Sequence, residues 1–272
     1  MELFQDTLKK QKDLRDMIRD LKKTAIAFSG GADSAYLLYE AVKSLGKENV
    51  IAITACSAAF PDNEKDEAEN ICKKTGVKHI LFDADLMSVK EFRENSKDRC
   101  YYCKKALFKK IIETAKKNDI RIVCDGSNAD DEGDYRPGLK ALAELDIESP
   151  LKKAGLSKTE IRQLSKEAGL STWNKPSLAC LASRIPYGEE IDVKKLKMAG
   201  AAEKLLHDMG FVQVRVRIHG DIARIETEVN DIKRITEDKV RKAISSEFKQ
   251  LGFAYISLDL DGYRCGSMNE VL

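Results

Sequence analysis

The chain has 272 residues, 43% hydrophobic and 34% charged, enough to bury one large core or a medium core with a smaller companion. Net charge is +2, with 26 basic against 28 acidic residues up to residue 150 and 21 against 17 beyond it, a balance that disfavours nucleic acid as a partner. No run of eighteen apolar residues occurs, the charged N-terminus is unlike a signal peptide, and seven cysteines is an odd number for a disulfide framework, so the expectation is a cytoplasmic protein with reduced thiols and no membrane segment.

Leu3, Leu14, Ile18 and Leu21 recur at helical spacing in the first segment. "TAIAFSGGADS" then reads as a strand and a glycine turn, followed by a helix through "SAYLLYEAVKSLG". The strand "NVIAITACS", the polar helix "NEKDEAENICKKTG", the strand "VKHILFDA", a helix opening at Cys100 and the strand "IRIVCDGSN" continue the alternation. This predicts an α/β fold, a parallel sheet with helices on both faces that binds ligands beyond the carboxyl ends of its strands. After "DDEGDYRPG" come helices near 138–146 and 157–169 and an irregular stretch, "WNKPSLACLASRIPYG". A helix from Asp192 to about Met209, a hairpin over "VQVRVRIHGDIARIETEV", a helix over about 230–250 and a last strand in "AYISLDLDGY" predict a smaller α+β module. The expected division is residues 1–150 and 151–272.

Three stretches carry chemistry. "SGGADS", residues 29–34, places glycines where a backbone must approach a ligand and a helix N-terminus where amides bind an anion, with Ser29 and Ser34 as hydroxyl donors. It lacks both the Lys-Ser/Thr ending of a Walker A loop and the spacing of G-x-G-x-x-G. Cys100 and Cys103, three apart, share a helix face, but two thiolates do not complete a metal site, and the candidate third is Cys180 in the proline-flanked loop. Four thiolates would close a zinc or iron–sulfur site, three would leave one iron of a [4Fe-4S] cluster open, and zinc would need a fourth ligand from His79, His207 or His219. Cys56, Cys72, Cys124 and Cys265 read as core or incidental positions. In the hairpin, Val214, Val216 and Ile218 alternate with Arg215, Arg217 and His219, predicting a half-buried strand with one cationic face. A turn at Gly220–Asp221 sets Arg217 opposite Arg224 and Arg215 opposite Glu226.

"SGGADS" resembles the PP-loop of the ATP pyrophosphatase superfamily, and "CDGSNADD" resembles the Asp-Gly-Thr/Ser-Asn stretch of the same proteins. The resemblance implies ATP and Mg2+, with Ser29, Gly30, Gly31, Asp33 and Ser34 serving phosphate and metal, Ser57 near adenine, and Asp125, Ser127 and Asn128 completing the nucleotide site. "RCYYCKKALF", "DGSNADDEGDYRPG", "SPL", "KTEIR" and above all "WNKPSLACLASRIPYG" resemble the LarE group of sulfur transferases, from about residue 24 to 225. That group adenylates the carboxylates of pyridinium-3,5-biscarboxylic acid mononucleotide and converts them to thiocarboxylates for the nickel-pincer nucleotide cofactor. Some members sacrifice the sulfur of one cysteine, and others have two further cysteines and carry a [4Fe-4S] cluster.

Cys180 with Cys100 and Cys103 resembles the cluster-bearing kind, which implies that sulfide arrives on the open iron from a sulfide donor, while sacrifice of Cys180 is the other route. The mononucleotide phosphate is expected against Ser183, Arg184, Arg215, Arg217 and Arg224. Lys104 and Arg136 are expected to steady AMP or pyrophosphate, with Glu203 a weaker candidate. A homo-oligomer is expected. The alternatives are a PP-loop tRNA thiolase, whose substrate would be RNA, and a nucleotide- or metal-binding protein without catalysis.

Overall fold

The structure, a computed structural model, describes residues 2–131, 137–175, 179–264 and 266–270. In chain order the elements are α1 (Glu2–Leu21), β1 (Thr24–Ala27), α2 (Ala32–Leu45), β2 (Val50–Cys56), α3 (Asp62–Thr75), β3 (Lys78–Asp83), α4 (Lys90–Arg93), α5 (Arg99–Lys116), β4 (Val123–Cys124), α6 (Pro137–Glu144), α7 (Pro150–Lys153) and α8 (Lys158–Glu167). They continue with α9 (Val193–Asp208), β5 (Val214–His219), β6 (Ile222–Thr227), α10 (Ile232–Thr236), α11 (Asp238–Gln250) and β7 (Tyr255–Leu258). None of the described helices is long and apolar enough to cross a membrane.

Two compact units divide the chain. The first comprises Met1–Ser57, Asp62–Asp85 and Cys100–Ser177, and the second Ala58–Pro61, Leu86–Arg99 and Leu178–Leu272. The expected boundary near residue 150 therefore falls inside the first unit. The reason is packing: Leu151, Ile161 and Leu164 of α7 and α8 are buried in one cluster with Leu14 and Ile18 of α1 and Leu37 of α2. Glu160 adds polar ties, accepting from Thr7 Oγ1 at 3.0 Å and Lys10 Nζ at 2.8 Å.

The first unit is a four-stranded, all-parallel sheet in the order β3-β2-β1-β4. Alternation along the strands feeds two cores. Ile26 and Ala52 join the cluster of α1, α2 and α8 on one face, while Ala25, Ile51 and Ile53 join Phe108, Ile111 and Ala115 of α5 on the other. The α5 residues recur at i, i+3 and i+7, which puts them on one stripe of that helix. Because β2 and β4 flank β1 on opposite sides, the connections leaving β1 and β4 diverge at their carboxyl ends, the place where open α/β sheets bind ligands.

The second unit holds a three-stranded sheet in the order β5-β6-β7, antiparallel between β5 and β6 and parallel between β6 and β7. The β5–β6 turn contains Gly220 at φ +57°, and the register pairs Arg217 with Arg224 and Arg215 with Glu226, as the turn chemistry predicts. β5 is not half-buried as expected: Val214 through Ile218 are all buried, arginines included. Burying those charges requires counter-charges inside the unit, and they are present.

Candidate active site

The loop after β1 is built to receive an anion. Gly30 adopts φ +73°, a conformation costly to other residues, and Gly31 caps α2 without a side-chain hydrogen bond, so the first amides of that helix keep no side-chain acceptor at the cap. Ser29 Oγ lies 3.1 Å from Ser34 Oγ and accepts from the Gly31 N–H at 3.3 Å, while Ser34 Oγ donates to the Gly31 carbonyl at 3.2 Å. The loop after β4 meets it. A Cβ on Gly126 would stand 3.1 Å from the Ser34 nitrogen, so any larger residue would have to press the two backbones a few tenths of an ångström apart. Asn128 Nδ2 donates to Asp33 Oδ2 at 3.3 Å, and Asp125 is held by Ser127 Oγ at 2.5 Å and Ser149 Oγ at 2.6 Å.

Asp33 Oδ1 is buried with no partner among the described residues, and burial pushes the Asp33 carboxyl up. A lone buried oxygen beside uncapped amides and two hydroxyls is a donor set that fits Mg2+ and phosphate. Ser57, which follows β2, is also at the carboxyl end of the sheet. Thus the sequence-predicted Ser29, Gly30, Gly31, Asp33, Ser34, Asp125, Ser127 and Asn128 come together in the first unit.

Other residues flank the loop that sequence reasoning did not single out. On α3, Glu64 and Ala68 pack against Gly30, where a Cβ would meet the Glu64 carbonyl and Ala68 Cβ at 3.4 Å. Lys175 Nζ donates to the Gly30 carbonyl at 3.2 Å and pairs with Glu67. Burial raises the Glu64 carboxyl to about 7, with Lys175 opposing the rise and Glu67 adding to it.

Cys100 and Cys103 stand near the start of α5, the former exposed and the latter buried. The stem of Lys104 crosses the start of α6, where a Cβ on Gly138 would come within 2.7 Å of its Cδ. Tyr101 donates to Glu144 Oε2 at 2.7 Å, and Lys105 bonds both partners, tying α5 to α6. Arg136 lies outside the described residues, as does Cys265. Cys72 and Cys124 are core thiols pushed up to about 12 by burial. Among the described residues no group of three or more His, Cys, Asp or Glu side chains is placed to hold a metal ion; Cys100 and Cys103 lie in the first unit and Cys180 in the second.

In the second unit, Cys180 precedes the short turn Leu181–Arg184. Its carbonyl accepts from Ser183 Oγ at 2.8 Å and Arg184 Nη1 at 3.2 Å, and the next N–H, of Leu181, donates to the Ala59 carbonyl at 2.9 Å. Arg184 forks onto Glu203 through Nε and Nη2 at 2.7 and 2.8 Å, and Glu203 Oε1 also accepts the Val216 N–H at 2.9 Å. Arg217 bonds Glu226 Oε2 at 2.7 Å, Ser267 Oγ at 3.1 Å and the Ser183 carbonyl at 3.0 Å. Arg224 is shared by Glu226 and Asp259, each at 3.1 Å. Arg215 donates to the Val214 carbonyl at 2.6 Å and lies 5.2 Å from the Tyr263 ring; burial and then Arg184 lower its pKa. The expected cationic face is therefore a network in which Glu203, Glu226 and Asp259 interleave with four guanidiniums. Arg217 Nε and Arg224 Nε are buried without a partner among the described residues, which leaves donors for an anion.

Residues 8–132 match the NAD synthase family model. Over 258 residues, 94% of this chain and 92% of the relative, the chain is 39% identical to the pyridinium-3,5-bisthiocarboxylic acid mononucleotide synthase of Lactiplantibacillus plantarum. The chain belongs to the LarE family. An uncharacterized protein of Synechocystis sp. is 39% identical over 263 residues, 97% of this chain and 98% of its own. One from Methanocaldococcus jannaschii is 29% identical over 264 residues, 97% and 99% of the two chains. The similarity to the Lactiplantibacillus plantarum relative spans both units. This LarE chain is accordingly an enzyme of the ATP-using PP-loop kind. The signal for Lys175 was in plain view beside Pro176, but nothing in the sequence ties it to Gly30, 145 residues earlier.

Proposed function

We propose that the chain adenylates the carboxylates of pyridinium-3,5-biscarboxylic acid mononucleotide and converts each to a thiocarboxylate, on the way to the nickel-pincer nucleotide cofactor. The observation that carries this reading is the 39% identity, across both units, to the synthase named for that product. In the first step a carboxylate oxygen attacks the α-phosphorus of ATP and pyrophosphate leaves. The uncapped start of α2, Ser29 and Ser34 suit the departing pyrophosphate, and Asp33 suits its Mg2+. Asp125 and Ser127 are assigned to the same nucleotide site, whose β4 loop is tied to Asp33 through Asn128, and Ser57 is assigned to the adenine end. Lys104 and Arg136 are assigned to charge developing on AMP or pyrophosphate. In the second step a sulfur nucleophile attacks the acyl carbon and AMP leaves with the electron pair.

The mononucleotide phosphate is assigned to Ser183, Arg184, Arg215, Arg217 and Arg224; the support is the concentration of guanidiniums with two partnerless buried Nε donors. For the sulfur, the finer proposal is a [4Fe-4S] cluster on Cys100, Cys103 and Cys180 resupplied by a sulfide donor. Its support is ligand number and type: three thiolates leave one iron open to an extra sulfide. It requires Cys180 to reach bonding distance of the α5 pair.

The test is incubation of the anaerobically purified protein with ATP, Mg2+, sulfide and the biscarboxylic mononucleotide. AMP, pyrophosphate and a product in which sulfur has replaced oxygen are expected, and ATP binding without pyrophosphate release would favour a non-catalytic nucleotide-binding protein.

A further inference from the structure

Lys175 carries none of the roles assigned above, yet its geometry is fixed from several sides. Its N–H donates to the Thr172 carbonyl at 3.0 Å and its own carbonyl accepts from Arg162 Nη2 at 2.7 Å, which anchors the backbone. The side chain, 13% exposed, reaches the phosphate loop, where Nζ donates to the Gly30 carbonyl at 3.2 Å and pairs with Glu67. Gly30 is the loop residue at φ +73°, and α3 closes its other side through Glu64 and Ala68.

We propose that Lys175 is a positioning residue of the phosphate loop: its ammonium holds the Gly30 carbonyl, and with it the Gly30–Gly31 peptide plane, in the orientation that presents the Gly31 N–H to pyrophosphate. A trans peptide directs its carbonyl and its N–H to opposite sides, so fixing one fixes the other. With glycine on both sides, that plane has few steric limits of its own and needs an external hold. The Gly31 N–H meets Ser29 Oγ at 3.3 Å, longer than an ordinary N–H···O bond, so a phosphate oxygen displaces that acceptor at small cost. Lys175 also sets a positive charge beside Glu64 and Glu67, two carboxyls that would otherwise oppose an incoming polyphosphate. This inference rests on the PP-loop reading given under Proposed function.

The test compares wild type with Lys175→Met, which keeps the stem and removes the donor, and Lys175→Arg, which keeps a cationic donor. Affinity for a non-hydrolysable ATP analogue with Mg2+ is measured by calorimetry, alongside thermal melting and the KM values for ATP and for the mononucleotide. Lys175→Met is expected to weaken nucleotide binding about tenfold, the loss of one charge-assisted hydrogen bond, with the mononucleotide KM held. Lys175→Arg is expected to recover most of that loss. Unchanged nucleotide affinity in Lys175→Met overturns the inference. So does a lowered melting temperature with equal losses for both substrates, which marks a merely structural residue. Wild type that binds the analogue but releases no pyrophosphate from ATP sinks the proposed function and leaves this inference standing; wild type that binds no nucleotide sinks both.

Discussion

Arg184 and Glu203 form a two-pronged ion pair inside the second unit, Nε to Oε1 at 2.7 Å and Nη2 to Oε2 at 2.8 Å, with side chains only 1% and 7% exposed. The third prong of Arg184 holds the Ala179 and Cys180 carbonyls at 3.0 and 3.2 Å, so one buried carboxylate orients the loop that carries Cys180. Glu203→Ala would strand a buried guanidinium and orphan the Val216 N–H. The expected cost is about 3–5 kcal/mol, seen as a lower urea midpoint with an unchanged slope. Glu203→Gln keeps an acceptor and should cost clearly less.

The Glu64 carboxyl sets a pH dependence whose sign is fixed by burial. Its ordinary value of 4.5 is raised to about 7 in the folded chain, so the folded state resists ionising it. The stability linked to this group is fully present below about pH 4.5 and is lost as the pH rises through about 7. Glu64→Gln should therefore match wild type near pH 4 and exceed it near pH 8 by on the order of 1–3 kcal/mol, measured by urea unfolding at the two pH values. Equal stabilities at pH 8 would contradict the assignment.

Gly126 decides how closely the β4 loop approaches α2. A Cβ there would sit 3.1 Å from Ser34 N, 3.3 Å from Ser34 Cα and 3.5 Å from the Asp33 carbonyl carbon, all backbone atoms that cannot swing aside. Gly126→Ala should push the first turn of α2 outward, at a cost of about 1–3 kcal/mol, and raise the KM for ATP more than that for the mononucleotide. Steady-state kinetics with each substrate varied in turn separate the two.

How much of this was legible in the sequence depends on the range of the interaction. The strand–turn–helix at "SGGADS" and the Arg215–Glu226 register were legible because glycine conformation and strand alternation act over a few residues. The domain boundary was not, since Ile161 and Leu164 choose α1 and α2 as partners from more than a hundred residues away. The burial and pairing of the hairpin arginines were misjudged for the same reason. Arg217 and Arg224 look bare along β5 and β6, but Asp259 reaches Arg224 from beyond β7, and Ser267 reaches Arg217. A cationic strand face and a buried ion network have the same local pattern.

The cysteines divide two sulfur routes. Under the cluster proposal, Cys100→Ala, Cys103→Ala and Cys180→Ala should each deplete iron and labile sulfide to a similar degree after anaerobic purification. If Cys180→Ala keeps its iron but loses sulfur transfer, Cys180 is the sacrificed sulfur instead, and wild type should then stop after consuming its own cysteine.

The most direct measurement is mass spectrometry of the pyridinium mononucleotide after reaction with the wild-type protein, ATP, Mg2+ and sulfide, with AMP and pyrophosphate counted in parallel. Replacement of carboxylate oxygen by sulfur, with one AMP and one pyrophosphate released for each atom exchanged, is the predicted result. An unmodified mononucleotide in the presence of bound ATP, with no pyrophosphate released, would contradict it.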